Sequence, residues 1–211
     1  MIFLVFVMVR PVVNCFADDL KLYSPVDLKD GHSPSLQCSL DKVYEWSVKW
    51  QLPVNAEKCF GIQLSRSRLR SDSCDIARFD YLIGSRVLLS RSCVEDLGVN
   101  YDCNLHFDKH IDSIVSAARA KVGLFFRDFK TRDVAILRRA YVTYIRPTLE
   151  YASNVWNPYA KKAIYKLQGV QRYFTKRIPQ LASLPYFERL AFLNLYILER
   201  RRLKTDLVSY F

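Results

Sequence analysis

Val12-Val13-Asn14-Cys15-Phe16-Ala17-Asp18-Asp19-Leu20-Lys21-Leu22-Tyr23 is the stretch that decides the fold, because it sets two adjacent carboxylates between two runs of β-prone residues. Val12, Val13, Cys15 and Phe16 on one side and Leu20, Leu22 and Tyr23 on the other predict strand, tight turn, strand. Such a hairpin lifts Asp18 and Asp19 out of a sheet. Neighbouring carboxylates repel and are costly to bury, and a divalent cation turns that repulsion into affinity. Oxygen ligands of this kind suit Mg²⁺ or Mn²⁺, which take a few carboxylates plus substrate phosphates and clamp the oxygens of a phosphoryl transfer. Taken alone, the pair also reads as a polar hairpin turn, since Asp is common at turns.

Working outward, Ser33-Pro34 is a helix start, with Ser33 as N-cap and Pro34 at the first helical position. Leu36, Leu40, Val43, Ser47 and Trp50 follow at helical spacing, Trp46 widens the apolar side, and the stripe is assigned to packing against the sheet. Phe60, Ile62 and Leu64 alternate as a strand does, and residues 65–75 read as a polar loop whose Arg66, Arg68 and Arg70 are solvated. Tyr81-Leu82-Ile83, the turn Gly84-Ser85 and Val87-Leu88-Leu89 predict a hairpin, and residues 94–101 a second short strand pair. From His110 the period becomes helical. Three stripes follow: Ile111, Ile114, Val115, Ala118, Val122 and Phe125; then Val134, Leu137, Tyr141 and Tyr144; then Ile164, Leu167, Val170, Phe174 and Ile178. The change of period near residue 104 is the domain boundary, giving an α+β chain with domains 1–104 and 105–211.

Further along, four segments carry a resemblance: the Phe16-Ala17-Asp18-Asp19 hairpin; the helix from Leu36 to Leu52 with Asn55-Ala56-Glu57-Lys58-Cys59; Glu95-Asp96-Leu97-Gly98-Val99; and Tyr144-Ile145-Arg146-Pro147-Thr148-Leu149-Glu150-Tyr151-Ala152 with Val155-Trp156-Asn157-Pro158, continuing to Leu167 and Val170-Gln171-Arg172. In this order they resemble the reverse transcriptases of non-long-terminal-repeat (LINE-type, jockey-like) retrotransposons, across most of residues 12–185. The resemblance implies a partial palm, an antiparallel sheet with a packed helix, followed by an all-helical thumb-like domain. It implies catalytic and metal-holding roles for Asp18 and Asp19, with Mg²⁺ or Mn²⁺ as cofactor in the complete enzyme, and a place near the incoming nucleotide for Lys58. Leu97, Gly98 and Val99 match the primer grip. The activity implied is addition of deoxynucleotides to a primer on an RNA template, with the RNA template and DNA primer duplex as partner. The fingers and the palm strand bearing the family's other metal-binding aspartate have no counterpart here and are expected upstream, so the chain by itself is expected not to polymerise. Two alternatives stand beside this reading: a nucleic-acid-binding module without catalysis, and a decayed element copy.

Composition agrees with a nucleic-acid partner. Half of the residues are apolar and Gly and Pro are few, which argues for a folded chain. Residues 1–104 hold 12 Lys and Arg against 13 Asp and Glu, whereas residues 105–211 hold 20 against 8. The basic half is therefore the helical one, and neutralising phosphates with such a surface releases counterions. Lys121, Arg127, Arg138, Arg139, Lys161, Lys162, Arg172, Lys176 and Arg177 are the candidate backbone contacts, about half of which serve only solubility. Arg200-Arg201-Arg202-Leu203-Lys204 reads as a solvated helix end in preference to a nuclear localisation patch.

The six cysteines show no Cys-x-x-Cys pair, which excludes a zinc ribbon and a redox motif. An even count is compatible with three disulfides only in an oxidising compartment. The apolar run at residues 1–9 lacks a basic start and a cleavage site and is too short to span a bilayer, so it reads as core strand, or as the residue of a misplaced start, in preference to a targeting signal. The expectation is an intracellular protein, nuclear or cytoplasmic, with no membrane and no small-molecule cofactor. His106 and His110 stand four apart without a catalytic glutamate between them, and read as incidental imidazoles at a helix start; His32 reads as loop.

Overall fold

The structure is a computed structural model that describes residues 5–6, 12–17, 19–25, 33–64 and 80–210. It is a mixture of helices and small sheets, an α+β chain, and divides into two compact units, Met1–His106 and Phe107–Phe211. No helix among the described residues is long and apolar enough to cross a membrane.

The first unit is built on a three-stranded sheet ordered β1-β3-β2, with β1 at Val5–Phe6, β2 at Val12–Phe16 and β3 at Asp19–Tyr23. β2 and β3 pair antiparallel from Val12 opposite Tyr23 to Phe16 opposite Asp19, and β1 runs parallel to β3. Part of the apolar N-terminal run is thus a strand. β3 is central and alternates: Leu20 and Leu22 enter the core, while Lys21 leaves the opposite face. β2 lies at the sheet edge with all five residues exposed.

Helix α1, Pro34–Lys49, packs Leu36 and Leu40 on β3 together with Cys59, Tyr81, Ile83 and Leu88. It starts where the sequence places it, but the Ser33 hydroxyl makes no capping bond. That hydroxyl pairs with Ser24 and Ser35 instead, and the Ser33 amide donates to the Tyr81 hydroxyl at 2.7 Å. Trp46 and Trp50 do not join the core, being 47% and 60% exposed. Trp46 sits about 80° around the helix from the centre of the buried stripe, and Trp50 is the C-cap residue, already off the helical cylinder.

The strand expected over Phe60–Leu64 is short: β4, Phe60–Gly61, pairs parallel with β7, Leu89–Ser90, and Cys59 through Ile62 are all buried. Residues 65–75 lie outside the described residues. Both predicted hairpins form. β5, Leu82–Ile83, and β6, Arg86–Val87, are joined by Gly84-Ser85. β8, Cys93–Asp96, and β9, Val99–Asp102, are joined by Leu97-Gly98.

The second unit is helical. α2, Asp108–Asp128, buries Ile111, Val115, Ala118 and Val122, as its stripe requires, and sets His110 edge-on to Trp156. His106 precedes the helix and stays exposed, so the two histidines share no helical face. α3, Val134–Ala140, runs through a π segment, Tyr141–Ile145, into α4, Arg146–Glu150. Pro147 has no amide to give the Thr143 carbonyl, and the chain widens by one residue ahead of it. That extra residue rotates the face: Tyr141, Ile145 and Leu149 are buried, and Tyr144, predicted for the stripe, is 68% exposed. α5 is Ser153–Trp156, and α6, Lys161–Lys176, inserts Leu167, Val170 and Phe174. Phe174 lies within 5.2 Å of the Phe126 and Tyr141 rings.

α7, Tyr186–Phe192, and α8, Leu198–Ser209, close on α6 through buried polar side chains. Gln168 donates to Gln171, Tyr186 donates to Gln171 at 2.9 Å, and the Leu198 amide donates to Gln168 at 3.2 Å. Such a fully connected network fixes the helices in one arrangement.

Candidate functional site

The acid hairpin has a two-residue loop, Ala17-Asp18, between Phe16 and Asp19. Ala17 takes the left-handed conformation, φ 53°, which a two-residue loop demands of its first member. Asp18 lies outside the described residues. Asp19 opens β3, half-buried, at a cavity of about 650 Å³ shared with Cys15, Lys42, Trp46 and Leu52. Lys42 and Trp46, one helical turn apart on α1, were not candidates from the sequence. Their signal is the row beside the buried stripe, which a core-only reading passes over. Among the described residues no group of three His, Cys, Asp or Glu side chains gathers to hold a metal ion. The described part of the hairpin offers one carboxylate, so a metal centre here requires Asp18 as well.

Below the hairpin, the Lys21 ammonium leaves β3 away from the core and meets both oxygens of Asp96 on β8, at 2.6 and 2.7 Å. The pair ties the acid hairpin to the hairpin that carries Leu97-Gly98-Val99. Leu97 and Gly98 both have positive φ, 47° and 79°, the mirror-type turn that matches the twist of its strands. Leu97 is exposed and Val99 buried, which fixes the tip outward. Burial first, and then the Asp96 carboxylate, push the Tyr101 hydroxyl above its ordinary range. Lys58 ends a single 3₁₀ turn, Ala56–Lys58, capped by the Asn55 side chain, and its own side chain is exposed.

In the helical unit the candidate cations take different surroundings. Lys121 and Arg139 line one groove of about 580 Å³ with Leu124, Phe129, Ile136 and Tyr144, and Lys121 donates to the Thr148 hydroxyl at 2.7 Å. Arg127 is held by Asp128 at 2.8 Å, and that hydrogen bond draws the carboxyl below its ordinary range. Arg138 donates to the Leu193 carbonyl and so anchors the α7–α8 connection. Lys161, Lys162, Arg172 and Lys176 are exposed along α6; Arg172 lies 4.8 Å over the Tyr186 ring and Arg177 lies 4.9 Å over Phe126.

The segment 200–204 is solvated at Arg200, Leu203 and Lys204 but not at the two arginines between them. Arg201 gives both its Nε and Nη2 to Glu150, and Arg202 is 1% exposed with its Nε on Asn157 at 3.0 Å. Burial lowers the pKa of Arg202, against Glu199, Glu150 and Asp206. Four cysteines, Cys15, Cys38, Cys59 and Cys93, are in no disulfide, which leaves no room for three.

Comparison with known proteins extends this description. The chain is 24% identical over 181 residues to the RNA-directed DNA polymerase from mobile element jockey of Drosophila melanogaster, and 25% identical over 183 residues to its Drosophila funebris counterpart. This is a chain related to retrotransposon RNA-directed DNA polymerases. Each match covers 84% of this chain but only 19% of the polymerase, so the chain spans about a fifth of the length of those relatives. An uncharacterized protein of Caenorhabditis elegans is 30% identical over 120 residues, 56% of this chain and 61% of that protein. No family model and no solved structure matches the chain.

Proposed function

We propose that this chain is a segment of the RNA-directed DNA polymerase of a non-LTR, jockey-like retrotransposon, in which the first unit corresponds to the later half of the palm and the second to the thumb. The observation that carries the reading is the similarity to jockey polymerases along 84% of the chain. In this reading Asp18 and Asp19 hold a divalent cation, Mg²⁺ or Mn²⁺, which neutralises the phosphates of an incoming nucleotide. Lys58 attends that nucleotide. Leu97, Gly98 and Val99 steady the primer, and their hairpin is tied to the acid hairpin by Lys21 and Asp96. Lys121, Arg139, Lys161, Lys162, Arg172 and Lys176 grip the backbone of the template–primer duplex, with Arg177 and Arg172 held ready by aromatic rings.

Binding of a fluorescent RNA–DNA template–primer duplex, measured by anisotropy across salt, tests the reading. Each phosphate contacted contributes about −0.9 to the slope of log K against log salt, so half of the candidate cations predict a slope of about −4. A flat dependence refutes the duplex grip. Mn²⁺ titration by electron paramagnetic resonance tests the metal separately: binding is expected in the native chain and its loss in Asp18→Asn and Asp19→Asn. A second reading, a nucleic-acid-binding module without catalysis, is favoured by the concentration of positive charge in residues 105–211. It predicts the same salt slope with no Mn²⁺ bound at the hairpin.

A further inference from the structure

Helix α8 carries a basic cavity that lies apart from the contacts assigned above. It encloses about 450 Å³ and is lined by Tyr196, Arg200, Arg201, Lys204 and Thr205, among others. Arg200 and Lys204 are one turn apart, and Arg201 leans in from the adjacent row. The Arg200 guanidinium rests 5.0 Å over the Tyr196 ring, which limits its freedom. Arg201 is gripped from behind by Glu150 through two hydrogen bonds, with a third of its side chain still exposed. Among the described residues no carboxylate pairs with Arg200 or Lys204. Glu199, next in the chain to Arg200, leaves the helix about 100° away.

The contacts to Glu150 and Tyr196 hold Arg201 and Arg200 in place, but the closeness of the three cations to one another opposes folding. Like charges four residues apart on a helix repel. Arg200 and Arg201 also stand in the first turn of α8, where the partial positive charge of the helix end disfavours cations. An anion seated among them reverses both penalties. Planar guanidiniums fix the two oxygens of a phosphate as a fork, and a lysine adds a third point charge.

We propose that this cavity is a phosphate site that takes a backbone phosphodiester of the nucleic acid bound by the helical unit. The proposal rests on the nucleic-acid reading above and adds Arg200 and Lys204 to it as binding residues, with Arg201 positioned by Glu150 and Arg200 by Tyr196. The backbone is favoured over a free small anion because the site is open on the surface of the unit that holds the chain's excess of positive charge.

The test compares salt slopes of RNA–DNA duplex binding by the full chain, its Arg200→Ala/Lys204→Ala variant, and a control that removes the same charge elsewhere, Lys49→Ala/Lys109→Ala. All four residues are exposed, and thermal unfolding checks that the variants stay folded. One lost phosphate contact lowers the slope by about 1, and the control is expected to match the native slope. An unchanged slope in the Arg200→Ala/Lys204→Ala variant, or an equal drop in the control, overturns the phosphate site while leaving the duplex reading intact. A native chain that binds no duplex overturns the duplex reading and this occupant together. Calorimetric titration with inorganic phosphate separates the sources: native binding as tight as that of the duplex, lost in the variant, assigns the cavity to a small anion and overturns the backbone proposal.

Discussion

Removing the Asp96 carboxylate is the perturbation that bears most directly on how the acid hairpin is held. Lys21 and Asp96 are 9% and 19% exposed and meet at 2.6 Å, so the ion pair is largely desolvated. Asp96→Ala leaves the Lys21 ammonium buried without its partner. Breaking a buried pair from one side costs about 3–5 kcal/mol, and the residual exposure of Asp96 places this pair near 3 kcal/mol. With a urea m-value of roughly 1–1.5 kcal/mol/M for a unit of this size, the unfolding midpoint of the first unit falls by about 2–3 M. The pair itself contributes far less than that figure, because desolvation offsets most of its attraction; Lys21→Met/Asp96→Leu is therefore expected within about 1 kcal/mol of the native chain. ¹⁹F-tryptophan labelling resolves the outcome by unit, since Trp46 and Trp50 report the first and Trp156 the second. An Asp96→Ala cost below about 1 kcal/mol, or a double variant as unstable as the single one, refutes the claim that a buried charge pair joins the two hairpins.

Phe174→Ala empties the centre of the Phe125, Phe126 and Tyr141 cluster and is expected to cost about 3–5 kcal/mol, read at the Trp156 resonance and leaving Trp46 and Trp50 unmoved. Gly84→Ala puts a side chain on φ +60° and 2.7 Å from the Tyr44 ring, so a loss of about 1–2 kcal/mol by urea unfolding is expected. Burial pushes the Cys59 thiol up to about 11, so the folded chain holds it neutral while an unfolded chain ionises it above pH 9. Stability from this group is present below pH 9 and is lost as pH rises toward 11. At pH 8 iodoacetamide is expected to label the exposed Cys15 and Cys38 well before Cys59, with mass spectrometry showing equal labelling only in urea.

Local pattern made much of this architecture readable. The two-residue hairpins at Ala17-Asp18, Gly84-Ser85 and Leu97-Gly98 follow from β-prone runs flanking short polar or glycine-bearing turns. The α2 stripe and the start of α1 at Pro34 follow from period and from proline chemistry. Apolar character and burial part company at two positions. Trp46 lies beside the buried stripe and lines a cavity with Asp19, and Tyr144 is turned out by the π segment ahead of Pro147. Charged residues misled in the opposite direction. Arg201 and Arg202 look solvated in sequence, yet Glu150 and Asn157, some fifty positions away, draw them into the helical packing.

The sequence by itself determined most element types, the change from sheet to helix near residue 104 and the placing of the positive charge, because each depends on residues close together in the chain. Tertiary structure alone decided which charges pair. Lys21 finds Asp96, Arg201 finds Glu150 and Arg138 finds a backbone carbonyl, whereas Arg200 and Lys204 are left facing a cavity. Coulomb attraction and desolvation depend on distances between residues remote in sequence, and no local pattern encodes those distances.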